Sequence, residues 1–125
     1  MEWRSKMFNV VDWTIKELTG YEPITTYYTD FGLAEKFGLK EVENTYRRAF
    51  KNWHEDIKWM TEICMVLNWK ISEHYGRNNE LAKLYDRLWR ECDSWILDYE
   101  EDEKGNIKYK HFTEDEINYY AKTVD

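Results

Sequence analysis

Residues 39–75 read LKEVENTYRRAFKNWHEDIKWMTEICMVLNWKISEHY, with no glycine or proline. Tyr46, Phe50, Trp53, Ile57, Met60, Cys64, Leu67 and Ile71 recur there at steps of 4, 3, 4, 3, 4, 3 and 4, the spacing of one apolar seam along an α-helix. Trp59, Ile63, Val66 and Trp69 cover other sides of the second half, so that half is expected to be enclosed by neighbours. An unbroken helix over this stretch would be about 54 Å long, against roughly 36 Å for a compact domain of this chain length. Either the helix breaks near Asn52 to Asp56, or it projects and shares its seam with a second copy or a partner.

The flanks follow the same logic. Gly76 ends the helix and Asn78 or Asn79 starts another, whose seam is Leu81, Tyr85, Leu88, Cys92, Trp95 and Tyr99. A short loop between matching seams predicts an antiparallel helical hairpin. Upstream, Asn9 caps a helix that runs to Thr19 and stops at Gly20, and Thr29 or Asp30 caps a short helix closed by Gly38. Tyr21 to Thr29 is β-prone and extended, Glu100 to Asn106 is a polar turn, and Ile107 to His111 is available to pair with Tyr21 to Thr29. Thr113 to Glu116 forms a capping box for the last helix, with Phe112 and Ile117 as its hydrophobic staple. The expected fold is mainly α: one compact helical bundle over residues 1–125, with a long central helix, a helical hairpin and a short two-stranded β element.

The 125 residues include 42% hydrophobic side chains, with 7 Trp, 10 Tyr and 5 Phe, enough apolar mass to offset chain entropy in one core. The longest apolar run is Ile63 to Leu67, far below the roughly 20 residues of a membrane span, and Met1 to Asp12 lacks a signal-peptide core. A cytoplasmic, soluble protein is expected. Cys64 and Cys92 both fall on apolar stripes and are expected to be buried free thiols.

MTEICMVLNWKISEHYG, Met60 to Gly76, raises the question of a metal or cofactor site. Cys64, Leu67, Ile71 and His74 share one seam, while Met65 lies about 100° away from Cys64, so the donors do not converge. Core packing is the expectation, with neither metal nor cofactor. His54-Glu55 begins a zincin-like signature, but Lys58 stands where the second histidine belongs. The residues three before His54, His74 and His111 are Lys51, Ile71 and Lys108, so the Glu-x-x-His pattern of di-iron bundles is absent too. No phosphate loop, nucleophile elbow or Cys-x-x-Cys pair occurs, and a non-catalytic protein is expected.

Charge is the least even property of the chain. Residues 1–90 hold 14 acidic and 14 basic side chains, whereas residues 91–125 hold 11 and 4, which is the whole net charge of −7. Arg47, Arg48 and Lys51, and Lys83, Arg87 and Arg90, read as solvated faces paired with neighbours such as Glu43 and Asp86. Asp98, Glu100, Glu101, Asp102 and Glu103 crowd five carboxylates into six residues after a helix C-terminus, where the helix dipole disfavours them. Glu114, Asp115 and Glu116 sit at a helix N-terminus, where it favours them. The first group is either a solubilising loop or, with Glu114 and Asp115, a recognition surface. Excess negative charge excludes direct nucleic-acid binding and suits a basic protein partner.

TTYYTDFGLAEKFG, NTYRRAFKNW, MTEICMVLNWKISEHYG, ELAKLYDRLW and the terminal INYYAKTVD together resemble a family of small proteins carried by bacterial conjugative elements and prophages. The likeness covers residues 25–125, and Glu101 to Lys110 looks like an insertion. The family has no assigned activity, so the resemblance implies no catalytic or binding residues. It does imply a setting, in which small acidic proteins often inhibit host defence nucleases, anti-CRISPR proteins among them. The expected function is therefore a non-catalytic binding protein whose acidic C-terminal surface engages a basic, nucleic-acid-binding partner. The alternative is a helical structural or adaptor module, homodimeric through the Tyr46 to Ile71 seam.

Overall fold

The computed structural model describes residues 10–21 and 28–124, with the backbone alone for residues 120–124. Its helices are α1 (Val10–Thr19), α2 (Asp30–Phe37), α3 (Leu39–Trp53), α4 (Ile57–His74), α5 (Asn79–Ile96) and α6 (Glu114–Val124), with strands β1 (Tyr99–Glu101) and β2 (Ile107–Tyr109) between α5 and α6. The protein is mainly helical with one small antiparallel sheet, as the sequence predicts. Two expectations fall wholly or mostly outside the described residues: the Asn9 cap, and the strand over Tyr21 to Thr29, of which residues 22–27 are not described.

The geometric conflict over residues 39–75 is resolved by a break, so the expected long central helix is two helices. α3 ends at Trp53, and Asp56 restarts the chain by accepting hydrogen bonds from the Lys58 and Trp59 amides at 2.9 and 3.4 Å. That carboxylate satisfies two N–H groups that an uninterrupted helix would have paired internally. The other starts are equally local. Thr29 Oγ1 caps the Gly32 amide at 2.9 Å, and Asn78 Oδ1 caps the Leu81 amide at 3.1 Å. Gly76 takes φ +78° after α4, a left-handed conformation that reverses the chain into α5 and that few residues other than glycine adopt cheaply.

The break lets α3 and α4 both pack inward. α4 and α5 form the central hairpin, with α3 against α5 and α1, α2 against α3, and α6 against α4. Met60, Ile63, Cys64 and Leu67 from α4 meet Leu81, Leu84, Leu88, Cys92 and Ile96 from α5, all essentially without solvent exposure. Cys64 and Cys92 are buried free thiols, and Cys92 donates to the Met60 carbonyl at 3.6 Å. Tyr46 and Phe50 of α3 and Ile57 of α4 are buried as well, while Trp53 and Ile71 of the same seam are half-buried against the core. Among the described residues, no helix is long and apolar enough to cross a membrane.

Candidate functional site

Of the two places that hold concentrated chemistry, the first is the acidic segment after α5. It forms a β-hairpin with register Tyr99↔Tyr109, Glu100↔Lys108 and Glu101↔Ile107. This corrects the expected partner of Ile107 to His111: β2 pairs with Tyr99–Glu101, which the sequence assigns to the end of a helical seam and the start of a polar turn. The reason is local closure. Asp102 accepts hydrogen bonds from the amides of Lys104 and Asn106 at 2.9 and 2.8 Å and from Asn106 Nδ2 at 3.1 Å, folding the turn around its own carboxylate. Those bonds, the Asn106 backbone amide foremost, hold the Asp102 carboxyl below its usual range. Gly105 completes the turn at φ +84°.

The seven predicted site residues therefore divide by occupation. Asp102 is committed to the turn. Asp98 faces His111 Nε2 at 3.2 Å and Lys110 Nζ at 3.9 Å, while Glu100 reaches Lys110 at 4.0 Å, so these two are partly balanced within the chain. Glu101, Glu103, Glu114 and Asp115 are exposed and make no ion pair among the described residues. Residues 98–116 carry eight carboxylates against three lysines, leaving five units of excess negative charge on one end of the molecule.

Aromatic packing fixes the hairpin to the helical body. His111 packs on Trp95 of α5 with ring centroids 4.2 Å apart, Tyr109 is half-buried against the core, and Phe112 is buried. The capping box forms as the sequence predicts: Glu116 accepts from the Thr113 amide at 2.8 Å, Thr113 Oγ1 accepts from the Glu116 amide at 3.2 Å, and Ile117 is buried with Phe112. Beyond these anchors the hairpin exposes apolar surface, since Ile107 is 56% and Tyr99 51% accessible. An open groove of about 490 Å³ runs beside β2, lined by Ile107, Lys108, Tyr109, Phe112, Thr113 and Glu114.

The second place is a polar cluster inside the bundle. Lys70 Nζ lies 2.7 Å from both Asp30 oxygens, and His74 Nε2 is 2.8 Å from Asp30 Oδ2. The Lys70 and Asp30 side chains keep only 4% and 11% of their accessibility. Burial pushes the Asp30 carboxyl up, but Lys70 and His74 together outweigh it and leave the carboxyl below its usual range. Tyr85 stacks on His74 with centroids 5.7 Å apart and meets Tyr46 edge-on at 5.7 Å; burial raises both phenols far above their ordinary range. The cluster ties the N-terminus of α2 to the last turns of α4.

Asp30, Glu73 and His74 also place three metal-type donors within 4.8 Å of one another. The Lys70 ammonium already bridges both Asp30 oxygens, so a cation's role there is filled by the chain itself. His74 lies at the edge of the core, as its seam position predicts, but its partner is Asp30 from another helix. The sequence does signal part of this cluster. Ile63, Leu67, Lys70 and His74 follow one another at steps of 4, 3 and 4, which places a lysine on an apolar stripe where it needs an acid.

The basic patches pair locally, as expected, in Arg47–Glu43 at 2.9 Å and Arg90–Asp86 at 2.9 Å, whereas Arg87–Glu43 at 3.1 Å and Arg47–Glu91 at 3.1 Å cross from α3 to α5 between residues 44 apart. Comparison of the chain with protein-family models, curated proteins and solved structures gives no match.

Proposed function

We propose that this is a non-catalytic binding protein whose β-hairpin and α6 N-terminus engage a basic, nucleic-acid-binding protein, and that it acts as an inhibitor of a host defence nuclease in the manner of anti-CRISPR proteins. The observation that carries it is the set Glu101, Glu103, Glu114 and Asp115, exposed and without ion pairs among the described residues, beside the exposed Tyr99 and Ile107. Glu101 and Glu103 neither cap a turn nor meet a base among the described residues, and Glu114 and Asp115 add only first-turn charge to α6, yet together they steer a cationic surface into contact. Aromatic and aliphatic side chains beside them supply the desolvated centre that charge alone lacks. The same negative field repels phosphates, so the ligand is the nuclease's nucleic-acid groove and not the nucleic acid.

The test uses a purified RNA-guided nuclease from a host of the mobile elements, with and without its guide RNA. Binding is expected to weaken steeply with salt, to compete with the guide, and to fall at least tenfold in the variant Glu101→Gln, Glu103→Gln, Glu114→Gln, Asp115→Asn. Affinity indifferent to both salt and the four substitutions would overturn the proposal.

A further inference from the structure

The hairpin's hydrogen-bond parity decides which backbone groups face outward. Lys110 N donates to Asp98 O at 2.8 Å and Asp102 N to Asn106 O at 3.0 Å, so the pairs 98/110 and 102/106 are hydrogen-bonded. By antiparallel alternation Glu100 and Lys108 form the hydrogen-bonded pair between them, while Tyr99/Tyr109 and Glu101/Ile107 are non-hydrogen-bonded pairs. Each residue of a non-hydrogen-bonded pair turns its N–H and C=O away from its partner. On β2 those residues are Ile107 and Tyr109, and no hydrogen bond reaches their outward groups among the described residues. The groove beside β2 is lined by its three residues and by the entry to α6, and by no residue of β1. It therefore lies along the open edge of β2.

We propose that this edge takes an extended basic segment of the partner protein as a third strand. This rests on the acidic-surface function above and deepens it. Two donors and two acceptors of β2 would supply main-chain pairing, and the exposed Ile107 would receive an apolar side chain from the added strand. Charge selects what flanks that side chain. Glu101 and Glu103 stand at the turn end of the hairpin and Glu114 lines the groove at the entry to α6, whereas Lys108 lies at the middle of β2. A segment of about five residues, at roughly 3.4 Å each, spans β2 with an apolar centre and a base at either end. A second copy of the same edge is disfavoured, because two such ends would each bring five excess negative charges.

The probe is the synthetic peptide Lys-Lys-Val-Thr-Val-Lys-Lys, blocked at both ends, titrated into the nitrogen-15-labelled full chain. Its counterpart carries N-methyl groups on the three central residues, which keeps every charge but removes the backbone donors. Expected are salt-dependent binding of the first peptide, exchange of the Ile107 and Tyr109 amides slowed at least tenfold, and at least fivefold weaker binding of the methylated peptide. Ile107→Pro removes one outward donor while leaving the Glu100–Lys108 pairing and is expected to weaken the first peptide similarly. If that variant loses its hairpin, the two peptides on the native chain decide. Equal binding of both peptides, unchanged exchange at Ile107 and Tyr109, or no binding of the first peptide would overturn strand addition. Continued salt-dependent binding of the nuclease, still lost with the four carboxylates, would leave the acidic-surface function standing in each of those cases.

Discussion

Asp30 and Glu101 are both carboxylates, one inside the bundle and one on the hairpin, and they are put to opposite uses. Asp30 is nearly withdrawn from solvent and surrounded by donors, with the Lys70 ammonium at 2.7 Å and the His74 imidazole at 2.8 Å. Glu101 stands on a solvated hairpin with no ion pair among the described residues. A buried charge costs several kcal/mol unless it is paired, so the interior admits only a matched set. Water solvates an exposed carboxylate without help, so the surface can collect like charges until their mutual repulsion matters. Internal carboxylates should therefore be read from stability measurements and the hairpin carboxylates from association measurements, and each set should be nearly silent in the other experiment.

Removing Asp30 should give the largest effect on stability. Asp30→Ala leaves the Lys70 ammonium buried without its acceptor, and such a break costs about 3–5 kcal/mol. Urea denaturation should show the midpoint falling with little change in slope. The double variant Asp30→Asn, Lys70→Met removes both charges and should recover most of that loss, because a buried ion pair often gives no net advantage over uncharged side chains. A double variant as unstable as Asp30→Ala would mean that the cluster stabilises through the carboxylate's hydrogen bonds rather than through balanced charge.

Acid should reproduce part of this effect. The folded Asp30 carboxyl lies below its ordinary value, so its contribution is present above about pH 3.9, the unfolded aspartate value, and is lost as pH falls through the lower folded one. The native chain should therefore lose more stability between pH 7 and pH 3 than the double variant does. Glu43, which Arg87 and Arg47 also hold below its usual range, is common to both proteins and cancels in that comparison. Equal acid sensitivity of the two would sever the link between Asp30 and the cluster's strength.

The helix ends lie within reach of sequence because their determinants are contiguous. Thr29, Asp56, Asn78 and Thr113 each bond an amide within three residues, and the apolar seams on either side mark what those caps enclose. Asp30 and Lys70 are 40 residues apart, and no local rule pairs them. Only the misplaced lysine on an apolar stripe hints that a partner exists. β1 was obscured for a related reason: Tyr-Glu-Glu has little strand preference of its own, and its conformation follows from pairing with β2 across a turn built by Asp102. Charge counting correctly localises the acidic end but cannot separate the committed Asp102 from Glu103, which makes no ion pair among the described residues, because that distinction is made by Asn106. Thr113→Ala tests the legible class, and loss of this cap should cost about 1 kcal/mol in the same denaturation experiment. A change below 0.3 kcal/mol would show that Phe112 and Ile117 alone hold the start of α6.

The smallest expected effect on stability comes from the four exposed carboxylates. Glu101 and Glu103 make no ion pair among the described residues, and Glu114 and Asp115 add only first-turn charge to α6. Neutralising all four should move stability by no more than about 0.5 kcal/mol in either direction, since relief of mutual repulsion and loss of the favourable helix-end charge oppose each other. The same protein should lose its salt-dependent association with a basic partner, because steering and charge complementarity depend on the field these groups create. A large drop in stability would show instead that the hairpin carboxylates have unrecognised partners inside the chain, and the contrast with Asp30 would collapse. Stability unchanged and association abolished would separate the two classes of carboxylate by experiment, as burial and pairing separate them in the fold.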